Sequence, residues 1–319
     1  MPSLRIAFQM DALERLNMPV DSTLDLARAA AERGHELFHY EPQCLRMDVT
    51  GGAVRVTARG HQLVHAPDGK GAWRLGAEST RDLANFDVIL MRQDPPFDLA
   101  YIAATHILEH LKGRVRIVND PAGVRDAPEK LLVTHFPHLM APTLVTRDRA
   151  AIDAFRAAHG DIIVKPLFGH AGHGIFHLRP GDDNLPALIE TMGAASNEPW
   201  MIQKFLQVTT LGDKRIILID GDPVGAYCRF PAKGDIRGNA RVGASTEKAE
   251  LTKRDREICA ALAPALRKLG LFLAGIDVIG DDLTEINVTS PTGLVTADRL
   301  EGRTGKDRIA DQFWQKLSA

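Results

Sequence analysis

The chain reads as short apolar runs separated by stretches in which apolar residues recur every three or four positions. LRIAFQM (4–10) and HELFHYEP (35–42) predict strands. DSTLDLARAAAERG (21–34) between them predicts a helix, with Asp21 or Ser22 as its N-cap and Gly34 as its stop. A strand–helix–strand order implies a parallel sheet. Residues 48–80 are polar, glycine-rich and weakly patterned, which predicts a hairpin and loops. FDVILMR (86–92), a helix at about 99–112 and VRIVND (115–120) complete a first α/β region ending near Asp126.

Beyond it, a helix around EKLLVTHF (129–136) precedes TLVT, a helix, DIIVKPL, a glycine-rich loop, GIFHL, another helix and WMIQKFL. Fewer strands alternating with helices predict a smaller α+β lobe. KRIILIDGDPVGAYCRF (214–230) then predicts a hairpin about an Asp-Gly-Asp turn. PAKGDIRGNARVGAS (231–245) is rich in glycine and almost patternless, which predicts a mobile loop. A helix (252–269), a second hairpin in GIDVIGDDLTEINV (275–288) and a C-terminal helix (about 305–317) close the chain.

At 319 residues the chain exceeds one ordinary core, and two or three subdomains are expected. A net charge of −2 supplies no global field toward nucleic acid or anionic lipid, so local Lys and Arg must hold any anionic ligand. Cys44, Cys228 and Cys259 are odd in number and scattered, which fits a reducing compartment. No run is long enough for a membrane span and none reads as a signal peptide. A cytoplasmic protein with neither a nucleic-acid nor a membrane partner is therefore expected.

Three positions of the last hairpin carry oxygen where a strand favours Val or Ile: Asp277, Glu285 and Asn287. Glu285 and Asn287 share a face by alternation. A three-residue loop, Gly280-Asp281-Asp282, places Asp277 opposite Glu285, whereas a two-residue turn places it on the other face. Two carboxylates and an amide oxygen suit Mg²⁺, which takes its remaining ligands from water and phosphates. A solvated polar face is an equally open reading, because Ile276, Val278, Ile286 and Val288 already make the other face apolar.

Lys165 ends an apolar strand ahead of a loop containing Gly169, Gly172 and Gly174, whose N–H groups could wrap phosphate. There is no G-x-x-x-x-G-K-[ST], and taken alone the segment is a strand and a turn. Lys130 is by itself an ordinary solvated lysine. His170 and His173 read as loop filler. Gln203, Lys204, Phe205 and Leu206 form a hinge-like segment, a common place for an adenine ring. Arg215, Arg229 and Arg237 flank the Asp-Gly-Asp hairpin and its loop, where guanidinium groups could meet phosphoryl charge. Arg92, past a strand's carboxyl end in MRQDPPFD (91–98), could clamp a carboxylate. The first strand–helix connection lacks G-x-G-x-x-G, which disfavours a dinucleotide enzyme.

Taken in order, MRQDPPFD, NDPAGVRDAPEKLL, DIIVKPL with its glycine-rich loop, GDKRIILIDGDPV, RGN and DVIGDDLTEINVTSPTG resemble the bacterial glutathione synthetases, which are ATP-grasp carboxylate–amine ligases. The resemblance covers nearly the whole chain to about Gly293. It implies an N-terminal Rossmann-like parallel-sheet domain (1–126), a central ATP-grasp lobe (127–204) and a C-terminal lobe (205–319). It implies ATP held by Lys130, Lys165, the Gly169–Gly174 loop, Gln203–Leu206 and Asp213, with Mg²⁺ or Mn²⁺ on Asp277, Glu285 and Asn287. Arg215, Arg229, Arg237 and Asn239 would surround the reacting centre, and Asp21, Ser22, Arg92 and Asn119 would face the peptide. The implied reaction joins γ-glutamylcysteine to glycine through an acyl phosphate in a homo-oligomer, such as a tetramer. A sister ligase with another donor or acceptor and a non-catalytic nucleotide-binding module are the alternatives. Two runs depart from the family pattern: FGHAGHG (168–174) at the phosphate loop, and LVTADRLEG (294–302), expected near the peptide.

Overall fold

The computed structural model describes residues 3–66, 73–169, 172–238 and 243–318. Three sheets are laid out in chain order. The first contains β1 (Arg5–Gln9), β2 (Glu36–Tyr40), β3 (Leu45–Thr50), β4 (Ala53–His65), β5 (Trp73–Asp82), β6 (Val88–Met91) and β7 (Arg116–Val118). Its order is β3-β4-β2-β1-β6-β7, with β5 also paired to β4, and β2, β1, β6 and β7 run parallel. Helix α1 (Ser22–Glu32) makes the expected crossover, and its N-cap is Asp21, whose carboxylate accepts from Leu24 N–H at 2.8 Å. Helices α2 (Leu99–Glu109) and α3 (Pro121–Asp126) follow.

Residues 48–80 contain the expected hairpin, β3 and β4 about Gly51-Gly52, but β4 also pairs with β5 where loops were expected. β4 and β5 are long regular strands whose exposed faces carry Arg–acid pairs, Arg55 to Asp82 and Arg59 to Glu78, both at 2.9 Å. Charge on both members hides the period-2 signal. Residues 67–72 lie outside the described set.

The helix expected around EKLLVTHF is short: α4 (Glu129–Leu132), continued by a 3₁₀ turn. The second sheet has the order β10-β9-β11-β8 and is antiparallel, with β8 (Thr143–Thr146), β9 (Ile162–Pro166), β10 (Phe176–Leu178) and β11 (Trp200–Lys204). Helices α5 (Arg149–His159) and α6 (Leu185–Ala195) pack on it, with Ile152, Ile162, Val164, Leu185 and Ile202 buried between them.

After α7 (Val208–Leu211), the third sheet has the order β14-β13-β12-β15-β16: β12 (Asp213–Ile219), β13 (Asp222–Phe230), β14 (Ser245–Lys248), β15 (Leu273–Ile279) and β16 (Asp282–Asn287). β12 and β13 turn at Asp220-Gly221, both with positive φ (53° and 78°), which is why Asp-Gly occupies the turn. Helix α8 (Lys253–Lys268) covers one face, and α9 (Leu294–Glu301) and α10 (Ile309–Leu317) lie against α1. The LVTADRLEG run is thus mostly helix α9, with Leu294 and Ala297 fully buried.

Register in the last hairpin is decided by a bulge. Ile279 pairs with Asp282 and Val278 with Leu283, so the turn is the two-residue Gly280-Asp281. One extra residue, Thr284, is then accommodated in β16, and Asp277 falls opposite Glu285. The expected pairing forms, but by a two-residue turn and a bulge instead of a three-residue loop.

Candidate active site

The second and third sheets face each other across a cleft. Its main chamber, about 210 Å³, is walled by Lys130, Lys165, Gly169, Gly172, Arg215, Arg229, Glu129, Glu285, Asn287 and the segment Thr289–Thr292. A second chamber of about 120 Å³ lies under Gln203–Leu206. It is lined by Ile163, Ile175, Val208 and Ile279, and by Asp213 and Arg237. The two share Lys165, Ile175, Arg229 and Glu285, so one cleft has a charged end and an apolar slot.

Antiparallel pairing in the second and third sheets, and helix α4, bring the basic side chains here from distant segments. Lys130 on α4 is 5% exposed; its Nζ donates to the Gly169 carbonyl at 2.5 Å and pairs with Glu285 Oε1 at 2.8 Å. Lys165, near the end of β9, is buried, which lowers its ammonium to about 8 against the opposing pull of Glu285. Arg215 on β12 donates Nε and Nη2 to the two oxygens of Asp277, at 2.5 and 3.0 Å. Arg229 on β13 reaches Asp277 at 2.9 Å and Asp213 at 2.5 Å. Burial works to raise the Asp277 carboxyl, but the two guanidinium groups outweigh it and hold it at about 2. Asp213, with burial dominant over Arg229, rises to about 6.

Asp277, Glu285 and Asn287 do come together: Asp277 and Glu285 are cross-strand partners, and Asn287 Nδ2 donates to Asp277 Oδ2 at 3.1 Å. Their donor set, two carboxylates and an amide, fits a hard cation completed by phosphate oxygens and water. Both Asp277 oxygens are already engaged by Arg215, Arg229 and Asn287, so of the two carboxylates Glu285, at the chamber wall, is the more available. Among the described residues no group of three His, Cys, Asp or Glu side chains is placed to hold an ion unaided.

The slot is shaped by packing. The Phe205 ring stacks on His177 at 4.1 Å, and His177 bonds Asp161 at 3.0 Å. Gln203 Nε2 donates to Thr143 Oγ1, while Lys204 is exposed. At the start of the glycine-rich loop, Phe168 stacks on Phe97 at 6.2 Å, which ties that residue to the DPPFD loop. A Cβ on Gly169 would come 2.6 Å from the Pro166 ring, so a larger residue there would force a shift. Gly174 has φ of 70°, which also favours glycine. Arg237 is paired with Asp235 at 2.7 Å beside the slot. Asn239 and His170 lie outside the described residues.

The four residues expected to face a peptide also make hydrogen bonds within the fold, and Arg92 Nη1 is left buried without a partner. Asp21 caps α1. Ser22 Oγ accepts from the N–H groups of Gly293 and Leu294 at 3.0 and 3.3 Å. Arg92 is 5% exposed; its Nε donates to Thr23 Oγ1 and its Nη2 to the Pro291 carbonyl, each at 3.0 Å. Asn119 Nδ2 donates to the carbonyls of Leu273 and Val288, and its Oδ1 accepts from Leu273 N–H, all at 2.8 Å. Ser22 and Arg92 fasten α1 and the first sheet to the backbone at 291–294, next to the chamber wall, and Asn119 ties β7 to Leu273 and Val288. Sequence reasoning missed Glu129. It stands beside Lys130 in PEK, and only its enclosure among the cleft's charges distinguishes it.

Two family models match the chain in succession: "Prokaryotic glutathione synthetase, N-terminal domain" over residues 4–125 and "Prokaryotic glutathione synthetase, ATP-grasp domain" over 129–302. The chain is 48% identical over 318 residues to a glutathione synthetase of Brucella melitensis, covering 99% of each. It is 49% identical over 315 residues to one of Mesorhizobium japonicum, covering 98% of each. Among solved structures, the D-cycloserine synthetase DcsG superposes with a TM-score of 0.65 at 16% identity, over 98% of both chains. The ATP-grasp ligase PsnB complexed with a phosphomimetic precursor variant, Mg and ADP gives 0.63 at 18%, over 99% of this chain and 98% of that one. These two likenesses show a shared fold.

Proposed function

The chain belongs to the prokaryotic glutathione synthetase family and is an ATP-dependent ligase, and we propose that its cleft joins γ-glutamylcysteine to glycine, releasing glutathione, ADP and phosphate. The observation that carries this reading is the pairing of an apolar slot with a chamber where buried Lys130, Lys165, Arg215 and Arg229 converge. The slot under Gln203–Leu206 takes the adenine, and Asp213 and the Gly169–Gly174 loop adjoin the ribose and phosphates. That charge distribution suits a polyphosphate, and it matches what phosphoryl transfer to a carboxylate needs: cations fixed where charge develops.

A carboxylate is a poor acyl donor at neutral pH, so the cysteinyl carboxylate of the dipeptide must first be phosphorylated. Lys130 and Lys165 orient the phosphates, and Arg215 and Arg229 meet the charge of the transferring group. Mg²⁺ (or Mn²⁺), held through Glu285 and Asn287 with Asp277 beside them, would supply charge neutralisation and alignment of the phosphates. Arg237 and Asn239 belong to the 231–245 segment, which closes over the reacting centre and keeps the acyl phosphate from water. Ser22, Arg92 and Asn119 act by holding the backbone at 288–294 beside the peptide pocket, and Asp21 by capping the helix that carries Ser22. The division into 1–126, 127–204 and 205–319 and a homo-oligomeric assembly are parts of the same proposal. Among the described residues no helix is long and apolar enough to cross a membrane.

The test is direct: incubate the protein with ATP, Mg²⁺, γ-glutamylcysteine and glycine, and identify the product by mass. Glutathione with stoichiometric ADP is expected. Phosphate release with another donor or acceptor pair, and none with this one, would move the assignment to a sister ligase. The packing of Leu294 and Ala297 into the core favours the glutathione reading, since the altered 294–302 run then serves helix packing.

A further inference from the structure

Glu129 is a carboxylate of the charged chamber for which no ion pair with a cationic side chain is seen among the described residues. Glu285 faces Lys130, Asp277 faces Arg215 and Arg229, and Asp213 faces Arg229. Glu129 Oε1 accepts three hydrogen bonds, from Val288 N–H (2.8 Å), Thr289 N–H (3.0 Å) and Thr289 Oγ1 (2.8 Å). Those bonds hold the group firmly at the base of the wall at 289–292 without neutralising it. Burial and the neighbouring charge of Glu285 push its carboxyl above the usual range, against the hydrogen bonds from Thr289 and Val288. An enclosed anion of this kind is costly unless a cation arrives.

Resting on the ligase reading above, we propose that Glu129 holds the ammonium group of the acceptor amino acid and takes its first proton. Such a substrate enters as R–NH₃⁺ and cannot attack until one N–H bond is broken. The proton passes to the Glu129 carboxylate, which becomes a carboxylic acid. The freed lone pair forms the C–N bond as the acyl C–O bond to phosphate breaks. The second amine proton leaves with the phosphate, as monohydrogen phosphate, and Glu129 returns its own proton to solvent when product departs.

Glu129→Gln tests this, because the amide oxygen still accepts from Val288 and Thr289. Two acceptors are compared at pH 7.5: glycine, an ammonium ion, and hydroxylamine, a largely neutral amine that reports trapped acyl phosphate as a hydroxamate. The glycine-dependent rate should fall by about 10²-fold or more with KM for ATP unchanged, while hydroxamate formation stays within about threefold of the wild type. Glu129→Asp, which keeps the charge one methylene further back, should recover part of the glycine rate. An equal fall with both acceptors makes Glu129 a strut and overturns the proposal, as does an unchanged glycine rate. Wild-type protein yielding neither hydroxamate nor tripeptide would instead overturn the ligase reading, and this inference with it.

Discussion

Replacing Asn119 by alanine separates a clamp from a ligand. The side chain is 4% exposed and makes three hydrogen bonds of 2.8 Å, all to backbone groups of Leu273 and Val288. Alanine leaves two carbonyls and one N–H buried without that partner. At about 0.5–1.5 kcal/mol net per bond, and more where a group stays unsatisfied, the loss is about 3–5 kcal/mol. That is a large part of a typical stability of about 5–15 kcal/mol. For a chain of this size it should lower the melting temperature by roughly 6–15 °C. Urea unfolding and thermal melting measure this. Ligation by the protein that remains folded at 20–25 °C should keep its KM for γ-glutamylcysteine within about threefold, since nothing was taken from the chamber. A melting temperature within about 2 °C of the wild type, with KM for the dipeptide raised tenfold or more, would refute the clamp and return Asn119 to the substrate.

Three further outcomes are expected. Glu285→Gln removes the counter-charge of Lys130 and a carboxylate proposed to hold Mg²⁺; ligation should fall by roughly 10²-fold and regain part of its rate at high Mg²⁺, read by coupled ADP release. Lys165 sits at about 8 in the fold against 10.5 in the unfolded chain, so the unfolded chain holds more protons between those values. Stability should therefore rise with pH from about 8 to 10.5, and Lys165→Met should abolish that rise in urea titrations at stepped pH. Arg92→Lys gives up the geometry that reaches Thr23 and Pro291 together; about 1–3 kcal/mol of stability should be lost, with KM for the dipeptide rising more than KM for ATP.

Local rules were enough for much of this molecule. Apolar period and caps locate α1, β1 and β2, and Asp-Gly at 220–221 dictates its hairpin because both residues need positive φ. Residue types at fixed spacing also pointed to Glu285 and Asn287 on one face, with Asp277 joining them in one of two registers, and the ordered set of motifs pointed to the family. The rest required the fold. Whether Asp277 meets Glu285 depends on a bulge at Thr284 that neither composition nor period announces. Which acids are already paired depends on Lys130 and Glu285, or Arg215 and Asp277, arriving together from segments 155 and 62 residues apart (285 − 130 and 277 − 215). Ser22, Arg92 and Asn119 were legible as polar residues in telling places, but their partners at 273–294 lie 154 or more residues away for Asn119 and further for the others. Spacing along a chain specifies which side chains share a face. Charge compensation and hydrogen-bond satisfaction are sums over everything within a few ångströms, and only the tertiary structure decides what is there.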